Sequence, residues 1–296
     1  MKILRTPETR FANLPDYPFA PHYHQITPDL RLHYVDEGPS DGAPVLMLHG
    51  EPTWSYLYRH MIGPVAAQGL RVLAPDLIGF GKSDKPGSES DYSYATHVAW
   101  IRNWIEALDL KDITLVCQDW GSLIGLRLAA EMPERFARIL IGNGGLPAGT
   151  GAISKAFLIW RAFASYSPWF PIGRIIQGGT RRTLSAAERA AYDAPFPNSS
   201  YKAGARIFPK LVPISDNDPA VPANKKAWTV FEQWQKPFIC CYSNGDPITR
   251  GLDQGFKERV PGTRGQPHTT LNGGHFMQED DAVNFVRLIL QACGKK

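Results

Sequence analysis

The chain has 296 residues, of which 43% are hydrophobic and 20% are charged. This length and composition suit one large domain, or one domain with an insertion, and exclude a disordered protein. The formal net charge of +4 is modest and the basic residues are scattered, which argues against a nucleic-acid-binding surface.

The N-terminal segment lacks the continuous apolar core of a secretory signal, and no stretch approaches the roughly 18 apolar residues of a membrane span. The four cysteines, Cys117, Cys240, Cys241 and Cys293, have no metal-ligand spacing. These patterns predict a cytoplasmic protein with reduced thiols, without a metal or another cofactor, and without a nucleic-acid or membrane partner.

Short apolar runs rich in β-branched residues alternate with segments of helical period, a pattern typical of a largely parallel sheet flanked by helices. The predicted strands, in chain order, are Tyr23 to Ile26, Leu30 to Val35, Val45 to Leu48, Arg71 to Ala74, Ile113 to Cys117, Ala137 to Gly142, Phe238 to Tyr242 and His268 to Leu271. The predicted helices are Tyr94 to Leu108, Ser122 to Glu131 and Asp281 to Ala292.

This alternation stops after Gly144. From residue 146 to residue 222 the chain is rich in aromatic residues, prolines and helical fragments such as KAFLIWRAFASYSPWF, and it has no convincing strand. We therefore predict an α/β core domain of residues 1–145 and 223–296, with an eight-stranded, mostly parallel sheet. A helical cap domain of residues 146–222 would be inserted after strand six and cover one edge of the sheet.

In an open α/β sheet, catalytic groups gather in loops beyond the carboxyl ends of the strands. The segment VCQDWGS turns from a strand into a helix, and it carries Asp119 where serine hydrolases of the G-x-S-x-G pattern carry their nucleophile. Taken alone, Asp119 is equally compatible with a simple role as the N-cap of the helix.

Two further loops supply partners for Asp119. His275 lies in GGHF before the last helix, and Asp246 lies in NGDPIT after the strand FICCY. Each has an ordinary alternative, a structural histidine in one case and a turn aspartate before a proline in the other. Their order along the chain, nucleophile, acid and histidine, is that of the α/β-hydrolase triad, and this coincidence favours catalysis.

A carboxylate nucleophile is already ionised near neutral pH, so it can displace a leaving group from a saturated carbon and form an alkyl ester. Water activated by His275, with Asp246 orienting the imidazole, would then hydrolyse that ester. The developing oxyanion would be held by the backbone amides of Glu51 and Trp120.

The motifs HGEPTWSYLYR, DLIGFGKSDKP, VCQDWG, AYDAPFPNSSYKAGARIFPKLVP and GGHF together resemble the haloalkane dehalogenases of the α/β-hydrolase superfamily. The resemblance covers nearly the whole chain and is to the subfamily with an Asp-His-Asp triad and a Trp-Trp halide site. It implies the α/β-hydrolase fold and a cofactor-free hydrolase that converts a small haloalkane and water into an alcohol, a halide ion and a proton.

The resemblance also implies roles for single residues. Asp119 corresponds to the nucleophile, His275 to the base, Asp246 to the third triad member and Trp120 to the first halide-binding tryptophan. Trp160 corresponds best to the second halide-binding tryptophan, with Trp169 as the rival, although aromatic residues at helical spacing are usually core residues. Four apolar residues resemble positions of a substrate pocket, and these are Phe208, Pro209, Val212 and Ile248.

Two other functions stay open at this point. An epoxide hydrolase uses the same three triad residues but protonates the epoxide oxygen with cap tyrosines, for which Tyr166, Tyr192 and Tyr201 are candidates. A non-catalytic binding protein on the same scaffold is the third reading, because a fold does not determine a function. We expect the protein to be a monomer.

Overall fold

The computed structural model describes residues 2–149 and 153–295. Its main sheet has eight strands, with the spatial order β8-β7-β6-β5-β3-β4-β2-β1. The strands are β1 (His22–Thr27), β2 (Leu30–Glu37), β3 (Pro44–Leu48), β4 (Arg71–Pro75), β5 (Ile113–Asp119), β6 (Phe136–Gly144), β7 (Phe238–Ser243) and β8 (Thr269–Leu271). The pairs β1–β2 and β2–β4 are antiparallel and the others are parallel. A separate antiparallel ribbon joins Ile3–Leu4 to Lys85–Pro86.

The helices follow the strands along the chain. They are α1 (Arg59–Ala66), α2 (Tyr94–Ala107), α3 (Trp120–Glu131), α4 (Lys155–Tyr166), α5 (Ile172–Gly178), α6 (Ala186–Asp193), α7 (Ala203–Leu211), α8 (Val221–Phe231), α9 (Leu252–Arg259), α10 (Met277–Asp280) and α11 (Ala282–Ala292). Short 3₁₀ segments cover Glu8–Phe11, Ser55–Tyr58, Glu89–Asp91, Pro133–Arg135, Ser199–Lys202 and Pro261–Thr263. None of these described helices is long and apolar enough to cross a bilayer.

The central strands form the middle of the hydrophobic core. Leu46, Leu115 and Ile139 lie on adjacent strands and are fully buried. Strands buried on both faces are continuously apolar, because helices cover both sides of a parallel sheet. The apolar runs of the sequence therefore become the inner strands β3, β5, β6 and β7.

All eight predicted strands are present, which confirms the eight-stranded, mostly parallel sheet. Their ends differ from the predicted ones by at most two residues. Helix α3 begins at Trp120 rather than at Ser122, because β5 passes into it without an intervening loop. The sequence did not predict α1, whose helical pattern is interrupted by Gly63 and Pro64.

Four helices, α4 to α7, lie in the segment after β6, where the cap was predicted. Helix α4 packs against α7, and α5 packs against α6. The next helix, α8, packs against the core helix α3 and begins at Val221, so the predicted boundary at residue 222 falls in its first turn. The division into a core domain and a cap domain of residues 146–222 stays a prediction, and residues 150–152 of that segment lie outside the described residues.

Candidate active site

The junction between β5 and α3 holds Asp119 in an unusual backbone conformation. Its φ of 50° lies in the left-handed region, which costs a residue other than glycine about 1–3 kcal/mol. The turn also brings α3 close to β3, since a Cβ atom at Gly121 would lie 2.0 Å from the carbonyl oxygen of Leu48. Asp119 occupies the N-cap position, but its side chain makes no capping hydrogen bond to α3. The carboxylate instead faces a cavity.

The backbone amide of Glu51, just beyond β3, reaches this carboxylate. Its N–H donates a hydrogen bond of 2.7 Å to Oδ1 of Asp119. The approach depends on the neighbouring Gly50, where a Cβ atom would lie 2.2 Å from the same oxygen. The other predicted oxyanion donor, the N–H of Trp120, belongs to the first residue of α3, where a backbone N–H has no acceptor within its own helix.

His275 and Asp246 lie beside Asp119, on the loops that follow β8 and β7. The Nδ1 atom of His275 is 3.0 Å from Oδ2 of Asp246, and its Nε2 atom is 3.6 Å from Oδ2 of Asp119. Both His275 and Asp246 are buried. The structure thus brings together three side chains from three separate loops, in the arrangement that the sequence predicts.

The charge of Asp246 is strongly stabilised. Burial raises its pKa, but His275 and hydrogen bonds from Thr249 and from the N–H of Ile248 lower it overall to about 2. Asp246 is therefore both a turn residue and the partner of the imidazole. Its carboxylate is ionised throughout the physiological pH range.

The protonation of His275 depends on both carboxylates. Burial lowers its pKa, but Asp246 and Asp119 together raise it to about 10. Both carboxylates therefore favour the protonated form of the imidazole. Chemistry that neutralises Asp119 removes one of the two raising contributions, so the pKa of His275 falls and the unprotonated imidazole, which can act as a base, becomes more populated.

Two buried amide side chains that the sequence analysis did not assign to the site support the histidine loop. The Nδ2 atom of Asn143, at the end of β6, donates to the carbonyl oxygens of Gly274 and His275, at 2.9 Å in both cases. The Nε2 atom of Gln118, in β5, lies 3.0 Å from Nε2 of His275. A sequence signal exists for both, because each is a polar residue inside an otherwise apolar buried strand and must find a partner there.

A cavity of about 950 Å³ opens above Asp119. Trp120, Glu51 and His275 line it together with a set of apolar side chains that includes Leu146, Phe157, Phe163, Pro209, Val212 and Ile248. Three of the four predicted pocket residues are in this set, and Phe208 is the exception. Successive residues of a helix point about 100° apart, so Pro209 faces the cavity while Phe208 is fully buried behind Trp120, at 4.5 Å between ring centroids.

The two candidates for the second halide-binding tryptophan lie in different environments. Trp160, on α4, lines the cavity together with Trp120 and stacks on Phe170 at 5.9 Å between ring centroids. Trp169 is 58% exposed, packs under Arg174 and is not among the described residues that line the cavity. The indole of Trp120 is itself fixed between Phe208 and Tyr94.

The tyrosines of the epoxide hydrolase alternative lie away from this cavity, because none of the three is among the described residues that line it. Tyr166 is 85% exposed. Tyr192 is buried and donates its hydroxyl hydrogen to Glu279, and Tyr201 faces the carbonyl oxygen of Arg5.

The carboxyl group of Glu51 also faces the cavity. Burial and the charge of Asp119 raise its pKa well above the usual range, against a smaller lowering effect of His275. The buried position of Glu51 therefore favours the uncharged form of its carboxyl group.

One group of potential metal ligands lies outside the cavity lining and consists of His60, Glu188 and Glu279. The two carboxylates already accept hydrogen bonds from the guanidinium groups of Arg59 and Arg182. Two positive charges in the same place oppose the binding of a cation, so this group does not fit a metal site.

Comparisons with known proteins agree with this geometry. Residues 43–171 match the family model of the alpha/beta hydrolase fold. A haloalkane dehalogenase of Mycobacterium marinum is 54% identical to this chain over 294 residues, which cover 98% of this chain and 99% of the relative. A haloalkane dehalogenase of Psychrobacter cryohalolentis is 53% identical, and the aligned residues cover 98% of both chains. The tetrameric structure of the haloalkane dehalogenase DpaA from Paraglaciecola agarilytica superposes with a TM-score of 0.92 at 35% identity, covering 100% of this chain and 99% of that one. The chain therefore belongs to the haloalkane dehalogenase family.

Proposed function

We propose that this protein hydrolyses the carbon–halogen bond of a haloalkane through a covalent alkyl ester of Asp119. The observation that carries the proposal is the meeting, in one largely apolar cavity, of the Asp119 carboxylate, a histidine paired with a buried acid, and the indole rings of Trp120 and Trp160. The third indole in the lining, that of Trp228, already donates its N–H to the carbonyl oxygen of Leu146. The products are an alcohol, a halide ion and a proton.

In the first step, Asp119 attacks the carbon that bears the halogen. The N–H of Glu51 donates a hydrogen bond to Oδ1 of Asp119, so Oδ2 is the oxygen that attacks. A bond forms between Oδ2 and the carbon while the carbon–halogen bond breaks, and the halide leaves with the bonding electron pair. The indole N–H groups of Trp120 and Trp160 are donors without acceptor capacity, and they stabilise the departing anion in a site that excludes water.

In the second step, water hydrolyses the ester. Alkylation neutralises Asp119, so the pKa of His275 falls from its value in the free enzyme. The ring releases its Nε2 proton to solvent, and Nε2 can then take a proton from the attacking water. The hydroxide attacks Cγ of Asp119, and the negative charge develops on Oδ1, where the N–H groups of Glu51 and Trp120 act as an oxyanion hole. Asp246 stabilises the imidazolium that forms. Collapse of the intermediate breaks the bond between Oδ2 of Asp119 and the departing alkoxide, which takes the imidazolium proton and leaves as the alcohol, and the carboxyl group of Asp119 loses its remaining proton.

The cavity lining also argues against the two alternative functions. An epoxide hydrolase needs phenol donors beside the nucleophile, whereas the aromatic donors among the described residues that line this cavity are indoles, those of Trp120, Trp160 and Trp228. A binding protein without turnover has no need of a histidine held at 3.0 Å from a buried carboxylate and beside a second one. Both observations support hydrolysis of a haloalkane.

The proposal is tested by replacing His275 with phenylalanine and adding 1,2-dibromoethane or 1-bromobutane. We expect one equivalent of bromide to be released and the alkyl group to stay on the enzyme, because the first step does not need the base. Mass spectrometry of the peptide that contains Asp119 measures the trapped ester. Labelling of a different residue, or the absence of bromide release by the unsubstituted enzyme, would exclude the mechanism.

The proposal extends to the molecule as a whole. Residues 146–222 act as the cap that closes the cavity, to which they contribute Trp160, Pro209 and Val212. A cytoplasmic location fits the four cysteines, all of which are free thiols.

We propose that the protein is a monomer of 32.9 kDa. The Paraglaciecola agarilytica relative is described as a tetramer. A fourfold mass in light scattering of the purified protein would overturn the proposal of a monomer.

A further inference from the structure

Three arginines line the cavity in addition to the residues of the proposed mechanism. They are Arg174 on α5, Arg250 on the loop between β7 and α9, and Arg259 at the end of α9. The carboxyl groups of the described lining residues are those of Asp119 and Glu51, which lie together at the catalytic floor. None of the three arginines takes part in the proposed hydrolysis.

Two of these arginines have no carboxylate partner within the described part of the chain. Arg174 and Arg250 are exposed, and neither forms an ion pair there. Both guanidinium groups are nevertheless anchored. That of Arg174 lies 5.7 Å from the centroid of the Trp169 ring, and Nη2 of Arg250 donates to the carbonyl oxygen of Asn244 at 2.7 Å. We call the exposed part of the cavity lining that Arg174 and Arg250 form the cationic rim.

The third arginine carries a compensated charge. Nη2 of Arg259 is 2.7 Å from Oε1 of Glu232, and the guanidinium group stacks on the ring of Trp228 at 4.0 Å from its centroid. An anion that approached Arg259 would also meet the charge of Glu232. The cationic rim is therefore the part of the lining that attracts an anion.

The walls between the catalytic floor and the cationic rim are largely apolar. Ile153, Phe157, Val212 and Ile248 belong to them. A molecule that matches the whole cavity therefore has a carbon–halogen bond at one end, an alkyl chain in the middle and a negative charge at the other end. The negative charge at the rim keeps contact with water, so it escapes the cost of burying a charge.

We propose that the enzyme accepts haloalkanes that carry a carboxylate at the end remote from the halogen. The inference rests on the proposed hydrolysis at Asp119 and names a substrate class for the same cavity. The halogen-bearing carbon lies at Asp119, the alkyl chain lies along the apolar walls, and the carboxylate pairs with Arg174 or Arg250. Hydrolysis consumes one water molecule and yields a hydroxyalkanoate, a halide ion and a proton.

The length of the chain determines whether the carboxylate favours or opposes binding. On a short substrate it would lie in the apolar interior near Asp119, where desolvation and repulsion by a like charge both oppose binding. On a long substrate it reaches the cationic rim. The cavity of about 950 Å³ is at the upper end of the usual range for small-molecule sites and has room for such a chain. We therefore expect short haloalkanoates to be poor substrates and long ones to be preferred.

Two pairs of substrates test the proposal on the purified enzyme. 8-Bromooctanoate is compared with 8-bromooctan-1-ol, and 3-bromopropanoate with 3-bromopropan-1-ol, with kcat/KM measured from bromide release. We expect the ratio of acid to alcohol to exceed one for the long pair and to lie below one for the short pair. Sodium sulfate, which adds no halide, should lower the ratio of the long pair because salt screens exposed charges.

Substitution of the arginines tests the cationic rim directly. Arg174→Met combined with Arg250→Met removes both charges and keeps long apolar side chains. The acid-to-alcohol ratio of the long pair should fall about threefold to tenfold, because each exposed ion pair contributes only a small factor. Arg250→Glu, as a single substitution, should also lower this ratio, since it places a negative charge at the rim.

Arg287→Met is the matched control. Arg287 lies on α11, is exposed, and is not among the described residues that line the cavity, so its replacement removes one positive charge away from the rim. It should leave the acid-to-alcohol ratio of the long pair unchanged. An equal fall of this ratio in Arg287→Met would trace the preference to net charge and overturn the proposal.

Two other results would overturn the substrate class. One is a ratio of one or less for the long pair in the unsubstituted enzyme, and the other is an unchanged ratio in both rim variants. Each of these results leaves the proposed function intact as long as the bromoalcohols release bromide. The absence of bromide release from every substrate, with 1-bromobutane included, would instead contradict the proposed function itself.

Discussion

The two oxygens of the Asp119 carboxylate are not equivalent. Oδ1 accepts a hydrogen bond of 2.7 Å from the N–H of Glu51, and Oδ2 lies 3.6 Å from Nε2 of His275. In the proposed mechanism, the oxygen that attacks the substrate is therefore separated from the oxygen that later carries the negative charge. The proposed oxyanion donor would be in place before the reaction begins, so that no reorganisation is needed when charge develops.

Trp160 and Trp169 are the two candidates for the second halide-binding tryptophan, and single substitutions distinguish them. We expect Trp160→Phe to slow the alkylation step by about two to three orders of magnitude, because one oriented donor in a dry site contributes about 2.7–4 kcal/mol to a transition state. Trp120→Phe should have a similar effect. Rapid-quench measurement of bromide release in a single turnover isolates this step.

Trp169→Phe is the matched control and should leave the alkylation rate within a factor of two to three of the unsubstituted enzyme, since an exposed ring packed under Arg174 contributes little to the cavity. Loss of alkylation in Trp169→Phe with retention in Trp160→Phe would reverse the assignment of the second donor.

At the scale of elements, the direct passage from β5 into α3 is what presents the nucleophile. The strand is buried, the helix begins at the next residue, and Asp119 takes the positive φ that turns the chain between them. Gly121 lets the first turn of α3 lie against the end of β3. The strand, the turn and the helix thus form one rigid support for the carboxylate.

Gly121→Ala tests this support. A Cβ atom at Gly121 would lie 2.0 Å from the backbone carbonyl oxygen of Leu48, so the helix must shift and the enzyme should lose several kcal/mol of stability together with its activity. Gly63→Ala is the control, since nothing lies within 4 Å of a Cβ atom there and α1 should gain about 0.4–1 kcal/mol. Urea denaturation measures the free energy of unfolding of both variants. Equal stability of the two variants would show that the turn has room to adjust.

At the scale of the whole molecule, buried ion pairs join the cap segment to the core. Arg59 of α1 pairs with Glu279 of α10 and with Glu188 of α6, and the side chains of Arg59 and Glu279 are fully buried. Arg182 and Tyr192 of the cap segment contact the same carboxylate of Glu279. The walls of the cavity therefore depend on a charged cluster that lies outside it.

Glu279→Gln should destabilise the protein by about 3–5 kcal/mol, because it leaves Arg59 buried with an incomplete countercharge. Burial raises the pKa of Glu279, but Arg59, Tyr192 and Arg182 lower it overall. A depressed pKa contributes stability at neutral pH that is lost as the pH falls through the folded-state value, and the variant should lack this acidic dependence.

Urea denaturation between neutral and acidic pH measures the effect. Glu232→Gln is the control, since its pair with Arg259 is exposed and should contribute at most about 1 kcal/mol. If Glu279→Gln and Glu232→Gln lowered the free energy of unfolding equally, the buried cluster would not stabilise the contact between cap and core.

The sequence by itself determined the sheet and the loops that carry the proposed catalytic residues. Apolar periodicity predicts all eight strands, because burial on one or both faces imposes a local repeat that needs no knowledge of the fold. The positions of Asp119, Asp246 and His275 follow from the same reasoning, since parallel strands end at one edge and the residues after them are necessarily neighbours.

Only the tertiary structure decided which side chains face the cavity and which support it. Phe208 and Pro209 are adjacent in the chain, yet one packs behind Trp120 and the other lines the cavity. Trp160 and Trp169 both lie in aromatic stretches, yet Trp160 is partly buried and lines the cavity while Trp169 is exposed. Gln118 meets His275 across 157 residues of chain. A local sequence pattern indicates which positions of a helix or strand are buried. The direction in which a side chain points, and its partner far away in the chain, depend on how the completed elements pack together.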